Sequence, residues 1–354
     1  MDKALVAMSG GVDSTVAAWL IKNSGYDCIG AMMKLYTNDD IGLGSDSGCC
    51  SLADAYDARR AAERMDIPFF VFNFTEAFAE QVIRRFAAAY ENGRTPNPCI
   101  DCNRYMKFER LLHKANEIDC ACIATGHYAK IAYENGRYLL IKGADPLKDQ
   151  SYVLYAMTQN QLSKTVFPLG GLTKAEVRAI ADEQGFINAK KQESQDICFA
   201  PDGNYAAFIE RYTDRRTEKG RILDLQGRDI GEHEGVIHYT VGQRRGLGIS
   251  ASTPLYVCSI CPVSNTVVVG PEESLYSREL IARDINLIAA EKLDAPIRAG
   301  ARIRYNQPEQ PATVRQLDED TLHVEFDSPQ RAITKGQAVV IYDGGTIIGG
   351  GTIV

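Results

Sequence analysis

The sequence predicts an α/β protein: a doubly wound parallel sheet, followed by a small central mixed domain and a C-terminal β-barrel. Three observations predict this. Apolar runs alternate with helical patterns through residue 204, glycine-rich short segments follow from residue 205, and from about residue 280 short alternating segments are separated by Pro, Gly and Asp. The resulting boundaries are 1–204, 205–279 and 280–354.

In the first region "ALVAM", "CIGAMM", "FFVFNF" and "CACIAT" read as buried strands, and residues 12–23, 51–65 and 75–91 between them read as helices. This order implies parallel strands with helices on both faces. The third helix, carrying Phe86 and Tyr90, stops at "ENGRTPNP", where Gly93, Pro96 and Pro98 end regular structure. A loop bearing Cys99 and Cys102 is expected next. "KIAYENGRYLLIKG" reads as a hairpin turning at Asn135-Gly136. "LTKAEVRAIADEQG" reads as a helix capped by Thr173, with Glu176 three residues on and Gly185 at its end. "GRILDLQGRDIGEHEGVIHYTVGQRRGLG" gives the mixed domain, and the short strands that follow give the barrel.

The composition excludes several classes. The 354 residues suffice for two or three domains at ~100–200 residues each. With 45% hydrophobic and 24% charged residues the chain has a globular composition, and it lacks the run of about 18 apolar residues that would span a membrane. The start "MDKALVAMSGG" shows no secretory pattern, so a cytoplasmic setting and reduced thiols are expected for the ten cysteines. A net charge of -7 argues against a general nucleic-acid coat protein. Local basic clusters remain in "RRF", "DRRTEKGR", "GQRRG" with Arg244 and Arg245, and "RAGARIRY"; each reads as solvated surface or as a phosphate contact.

"SGGVDS" joins the first strand to the first helix. Glycines 10 and 11 let backbone amides approach an anion, the helix start adds its positive end, and Ser9 and Ser14 offer hydroxyl donors to the same phosphates. The alternative is a tight βα turn without a ligand. The loop lacks the lysine that ends the nucleoside triphosphatase loop. Among the cysteines, Cys28, Cys120 and Cys122 sit in apolar runs and read as packing. Cys102, with Arg104 and Lys107 nearby, is placed to favour a thiolate, and Cys198 lies outside any apolar stripe. Cys258 and Cys261 share a Cys-x-x-Cys spacing, but their apolar stretch favours packing. Cys49-Cys50 precedes a helix and reads as helix-start structure near the loop. Of the five histidines only His127 has a motif around it; His113, His233, His238 and His323 read as surface or packing residues.

Taken alone, "SGGVDS" resembles the pyrophosphate loop of the ATP pyrophosphatases (PP-loop enzymes, adenine nucleotide α-hydrolase-like fold), which cleave ATP between its α- and β-phosphates. Together with "GRTPNPCIDCN", "ATGHYAK", "KDQSYVLY", "ESQDICF" and "YTVGQRRGLG" it resembles the tRNA-specific 2-thiouridylase family from residue 4 to the barrel. The resemblance implies a sulfurtransferase that uses ATP with Mg²⁺ to adenylate the carbon-2 oxygen of the wobble uridine of tRNA and then replaces it with sulfur from a cysteine persulfide. It implies ATP contacts at Ala7, Met8, Ser9, Gly10, Gly11, Val12, Asp13, Ser14, Met33 and Gly126. Target-base contacts would fall at Asn97, Pro98 and Cys99, and further tRNA contacts at His127, Lys148, Asp149, Gln150, Arg304, Tyr305 and Gln337. Cys198 would carry the persulfide, delivered by a separate donor, and Cys102 would be the second catalytic cysteine. Some members carry Asp at the position of Cys99, so Cys99, Cys102 and Cys198 here also offer three thiolates for an iron–sulfur cluster. Two other readings stay open on the residues alone. One is an amide-forming PP-loop ligase, which leaves Cys102 and Cys198 unexplained; the other is a non-catalytic nucleotide-sensing or RNA-binding protein.

Overall fold

The computed structural model describes residues 1–37, 52–191 and 197–354. Cys49, Cys50 and most of the "ESQDICF" motif therefore lie outside the described residues. The chain forms two compact units. The first gathers residues 1–82, 99–203 and 345–347, and the second gathers residues 83–98, 204–344 and 348–354.

The first unit is built on five parallel strands: β1 (Lys3–Ala7), β2 (Asp27–Lys34), β3 (Phe69–Asn73), β4 (Cys122–Ala124) and β7 (Thr165–Val166), in the order β3-β2-β1-β4-β7. The central strand β1 is flanked on both sides, which is why Ala4, Leu5 and Val6 are sealed from solvent and read as one apolar run. Ala4 pairs with Cys28 on β2 and Cys122 on β4, so these two thiols join the core. Burial pushes both up to about 11, as inert packing thiols require, and Cys120 beside them is buried and shifted in the same direction. Helix α1 (Val12–Asn23) covers the sheet with Val12, Val16, Ala17 and Ala18. Helix α2 (Leu52–Arg64) adds Ala58, Ala61 and Ala62, and helix α3 (Lys174–Glu183) adds Val177 and Ala181.

Local signals hold where they rest on backbone chemistry. Thr173 and Glu176 form a reciprocal capping box, and Gly185 ends the helix at a positive φ of 63°. Strands β5 (Ala129–Glu134) and β6 (Arg137–Lys142) form the expected hairpin, with Asn135 and Gly136 both at positive φ.

One expectation fails: Cys102 is not in a loop. Pro98 starts a helical run of Pro98–Asp101, a π-helical segment Cys102–Arg110 and an α-helix Leu111–Glu117. Proline at a first helical position gives up no intrahelical hydrogen bond, and Met106, Phe108, Leu111, Leu112 and Ala115 supply a buried face that the polar stretch "CIDCNRY" conceals.

In the second unit, Phe86 and Tyr90 on the helix Arg84–Glu91 pack against Tyr205. The mixed domain is a four-stranded sheet of β8 (Gly220–Leu223), β9 (Asp229–His233), β10 (Tyr256–Cys261) and β11 (Thr266–Gly270), in the order β10-β11-β8-β9 with a parallel β11–β8 pair. His233 is buried there; its Nδ1 accepts from the Gly235 amide at 3.0 Å and its Nε2 donates to the Asn265 carbonyl at 3.1 Å, a packing role as expected. Cys258 is partly buried, but Cys261 is exposed, against the packing expectation. It is the last residue of an edge strand, where no neighbour covers it.

The barrel comprises β12 (Tyr276–Leu287), β13 (Ile297–Arg302), β14 (Gln310–Asp318), β15 (Thr321–Arg331), β16 (Ala338–Asp343) and β17 (Thr346–Ile353). They run in the order β12-β15-β14-β13-β16-β17, and a β12–β17 pairing closes the ring. Ala282, Ala301, Val314, Leu322, Val324, Phe326, Val339 and Ile341 fill the interior. Closure is tight: a Cβ at Gly349 would lie 2.3 Å from the Asn286 carbonyl oxygen. Gly349→Ala is expected to destabilise the protein by about 1–3 kcal/mol in thermal unfolding. Gly345→Ala is the control, since its nearest neighbour would be the Ile141 side chain at 3.7 Å, and it should leave the transition in place.

Candidate active site

The loop after β1 is held from inside and from behind. Gly10 has a positive φ of 79°, and a Cβ there would sit 2.3 Å from the backbone oxygen of Asp54 on α2. A Cβ at Gly126, just beyond β4, would lie 2.8 Å from the Asp13 carbonyl carbon and 2.9 Å from the Ser14 nitrogen. Both glycines are sterically obligatory. Gly11, the N-cap of α1, is not: its φ is -84° and its Cβ would meet only Ser9 Oγ at 3.5 Å.

The two serine hydroxyls are hydrogen-bonded within the loop. Ser14 Oγ donates to the Gly11 carbonyl at 3.0 Å and accepts from the Ser9 amide at 3.1 Å, so its proton is committed to the loop. The cause is local, because a serine in a first helical turn back-bonds to the carbonyl three residues earlier. Ser9 Oγ in turn donates to Ser14 Oγ at 3.3 Å.

Sequence reasoning missed the residues that brace the loop. Lys174 Nζ reaches both oxygens of Asp13 at 2.7 and 2.9 Å, and the Tyr128 hydroxyl donates to the same carboxylate at 2.7 Å. Asn188 Nδ2 donates to the Gly10 carbonyl at 3.0 Å and to Thr15 Oγ1 at 2.8 Å. Lys191 Nζ pairs with Asp54 at 2.7 Å and Asp57 at 2.6 Å, and lies 3.4 Å from the Gly10 carbonyl. Burial works against the charge on Lys191, but its hydrogen bonds to Asp54 and Asp57 prevail and hold its pKa above the ordinary lysine value. Lys174, Asn188 and Lys191 lie more than 130 positions from their partners and Tyr128 lies 115 from Asp13, and no local pattern announces such a contact.

Cys102 is half-buried at the start of the π-helical segment, an irregularity frequent at functional sites. Its neighbour Asn103 is buried and donates to the Val153 carbonyl at 3.1 Å. His127 is also buried, between Phe108 and Phe167, with Nδ1 2.7 Å from Thr125 Oγ1 and Nε2 3.3 Å from Lys107 Nζ. Burial, with the Lys107 charge adding to it, drives its pKa well below the usual value, so the ring is neutral and Nε2 accepts from the ammonium. Cys198 is half-buried; the Tyr36 hydroxyl bonds its carbonyl at 2.8 Å, and Phe199 next to it packs on Phe78. Cys99 is exposed. Among the described residues no three Cys, His, Asp or Glu side chains gather as a metal site, so Cys99, Cys102 and Cys198 form no ready-made cluster set. The three thiols stand in different surroundings, one exposed and two half-buried.

Other expected contact residues are engaged in the fold. Asp149 is buried and accepts from the Gly143 amide and the Ser151 amide and hydroxyl; Gln150 Oε1 accepts from the Tyr128 amide, with Lys148 next to them. Met33 is partly exposed near the end of β2.

In the second unit, residues from distant motifs meet. Gln337 Nε2 donates to the Thr95 carbonyl at 2.7 Å, the Thr95 amide donates to the Lys335 carbonyl, and Thr95 Oγ1 lies 3.3 Å from Thr240 Oγ1. Arg304 donates to the Ala332 carbonyl and Thr334 Oγ1, and a Cβ at Gly242 would lie 2.8 Å from Ala332 Cβ. Arg244 and Arg245, two and three residues on, are exposed; Tyr305 is partly so. "GRTPN" and "YTVGQRRG" thus converge with the residues around Arg304 and Gln337, and Asn97 and Pro98 follow directly in the chain.

Comparison with known proteins matches residues 2–202 to a tRNA methyl transferase HUP domain, 206–271 to a tRNA methyl transferase PRC-barrel domain and 277–353 to an aminomethyltransferase beta-barrel domain. The tRNA-specific 2-thiouridylase of Clostridioides difficile (strain 630) is 48% identical over 353 residues, covering 99% of this chain and 98% of that protein. The chain belongs to the tRNA-specific 2-thiouridylase family. The 2-thiouridylase of Halothermothrix orenii gives the same identity over 354 residues, covering 100% of this chain and 99% of the relative. Among solved structures, a 4-thiouridine synthetase–RNA complex with bound ATP covers 60% of this chain at 17% identity and a TM-score of 0.39, too slight a likeness to carry an argument. No helix among the described residues is long and apolar enough to cross a membrane.

Two outcomes follow for this 2-thiouridylase-family chain. Gly10→Ala forces a side chain into left-handed backbone against Asp54 and should cost at least about 1–2 kcal/mol of unfolding free energy; Gly11→Ala should cost below about 1 kcal/mol. Equal losses would show that the close approach to α2 is not the constraint. For His127 the folded pKa is depressed, so between that value and about 6.5 the unfolded chain binds the extra proton. Stability is therefore complete above about pH 6.5 and falls by up to about 1.4 kcal/mol per pH unit below it. His127→Gln keeps an acceptor for Lys107 and should flatten that slope in denaturant titrations at pH 5.5 and 7.5.

Proposed function

We infer that the chain is a tRNA-uridine 2-sulfurtransferase. Its relatives over the whole length are 2-thiouridylases, and the single observation that carries the chemistry is the pairing of a glycine-cradled helix-start loop with two half-buried, accessible thiols in the same unit. The matched domain models carry methyltransferase names. Thiolation is favoured over methyl transfer because methyl transfer has no need of an adenylating loop, and the whole-length relatives are 2-thiouridylases.

ATP suits the loop because both Gly10 and Gly126 remove side-chain bulk where backbone must come close, and the start of α1 offers its positive end to phosphate. Residues 7–14 would hold the phosphates, Met33 and Gly126 would lie by the nucleoside, and Mg²⁺ brought in with ATP would supply charge neutralisation at the phosphates. The uridine carbon-2 oxygen attacks the α-phosphorus and pyrophosphate departs, turning a poor leaving group into AMP. Sulfur from a Cys198 persulfide then enters at carbon-2 as AMP leaves. Either the persulfide attacks directly and the Cys102 thiolate breaks the resulting disulfide-linked adduct, or Cys102 first frees hydrosulfide, which attacks. Both routes end with a Cys102–Cys198 disulfide that an external dithiol reduces.

The target is the wobble uridine, flipped out toward Asn97, Pro98 and Cys99. tRNA contacts fall at Lys148 in the region 1–204 and at Arg304, Tyr305 and Gln337 in the barrel region 280–354, while His127 is buried and engaged within the fold and contributes by shape. The engagement of Asp149 and Gln150 within the fold makes their contribution a shaping of the loop that presents Lys148.

The decisive experiment supplies tRNA, ATP and a persulfide donor to the wild type and to Cys198→Ser and Cys102→Ser. AMP and pyrophosphate should form only with tRNA present, and nucleoside mass spectrometry should find 2-thiouridine with the wild type and at least about 100-fold less with either variant. Thiolation by Cys198→Ser at the wild-type rate would refute the persulfide assignment.

A further inference from the structure

We propose that Asn188 and Lys191 are positioning residues for the phosphate loop, acting through the carbonyl of Gly10; this rests on ATP being the ligand of that loop.

The Gly10–Gly11 peptide is trans, so its carbonyl and its N–H point in opposite directions. Anchoring the oxygen therefore aims the Gly11 N–H, the N-cap amide of α1, away from the anchor. The Gly10 carbonyl receives Asn188 Nδ2 at 3.0 Å, with Lys191 Nζ at 3.4 Å. The orientation of the Asn188 amide is forced. Thr15 Oγ1 already donates to the Gly11 carbonyl at 3.1 Å, so it and the Gly10 oxygen both face Asn188 as acceptors, and only the NH₂ end satisfies them. That choice leaves Asn188 Oδ1 buried without a hydrogen-bond partner among the described residues. An orphaned buried acceptor is destabilising, and a residue serving packing alone would avoid it. Asn188 is 2% exposed, so the arrangement is no surface accident.

Lys191 completes the device. It ties the first turn of α2, through Asp54 and Asp57, to the same carbonyl, and Asp54 is the residue whose backbone oxygen leaves no room for a Cβ on Gly10. Asn188 fixes the rotation of the peptide plane, and Lys191 fixes its distance from α2. Neither residue needs to touch the nucleotide.

The test is titration of the full-length protein with ATP and, separately, with tRNA. Asn188→Asp, isosteric but without a donor for the Gly10 oxygen, should weaken ATP binding about tenfold and raise the KM for ATP by more than it lowers kcat of tRNA-dependent pyrophosphate release. Affinity for tRNA should stay within about twofold. If Asn188→Asp does not fold, Lys191→Met carries the same expectation. Unchanged ATP affinity in a folded variant, or equal losses for ATP and tRNA, would overturn the assignment. A wild-type protein that binds no ATP would overturn the ATP reading itself, an outcome visible before any variant is made.

Discussion

The loop after β1 depends on two contacts that admit no side chain. Gly10 lies against the backbone of Asp54, and Gly126 lies against Asp13 and Ser14. These approaches set how close α2 comes to the loop and the end of β4 to the start of α1. Everything around them reinforces the same geometry: Ser14 closes the loop on Gly11, Lys174 neutralises Asp13, and Asn188 takes the Gly10 carbonyl. A preorganised cradle of this kind spends its ordering cost during folding, so little remains to be ordered when an anion arrives.

The thiols divide by environment rather than by sequence neighbourhood. Cys28, Cys120 and Cys122 are buried and shifted toward the protonated form, which removes them from chemistry. Cys102 and Cys198 keep partial exposure, and each is tied into the fold through its own backbone or its neighbour. Cys102 opens a helical segment whose next residue, Asn103, is buried, and Cys198 is pinned through its carbonyl by Tyr36 and followed by the buried Phe199. The neutral His127 belongs to the same logic: buried beside Lys107, it accepts a hydrogen bond from the ammonium without adding a second positive charge.

The second unit shows how an acidic chain assembles a local basic surface. Thr95, Thr240 and Gln337, from three distant stretches, are joined by hydrogen bonds, and Arg304 is held by the backbone at Ala332 close to the loop that displays Arg244 and Arg245. Net charge of -7 describes the sum and says nothing of this clustering.

Sequence alone determined whatever depends on contacts within a few residues or on one-dimensional periodicity. The strands β1, β2 and β4, the capping box at Thr173, the Asn135-Gly136 turn and the glycine loop follow from local backbone chemistry and from the apolar pattern of a buried parallel sheet; β3 forms as a strand but lies at the sheet edge with Phe70 and Val71 exposed, so its apolar run marked a strand and not its burial. The ordered motifs carried the family. Only the tertiary structure decided which residues brace the loop, because Lys174, Asn188 and Lys191 act across more than 130 residues through side-chain hydrogen bonds that leave no periodic trace. It also moved Cys102 from an expected loop onto a helix, where a buried face spread over Met106 to Ala115 outweighs the polar composition of its first turn. And it separated Cys261 from the packed thiols, since exposure at the end of an edge strand is a property of the sheet order and not of the strand's own residues.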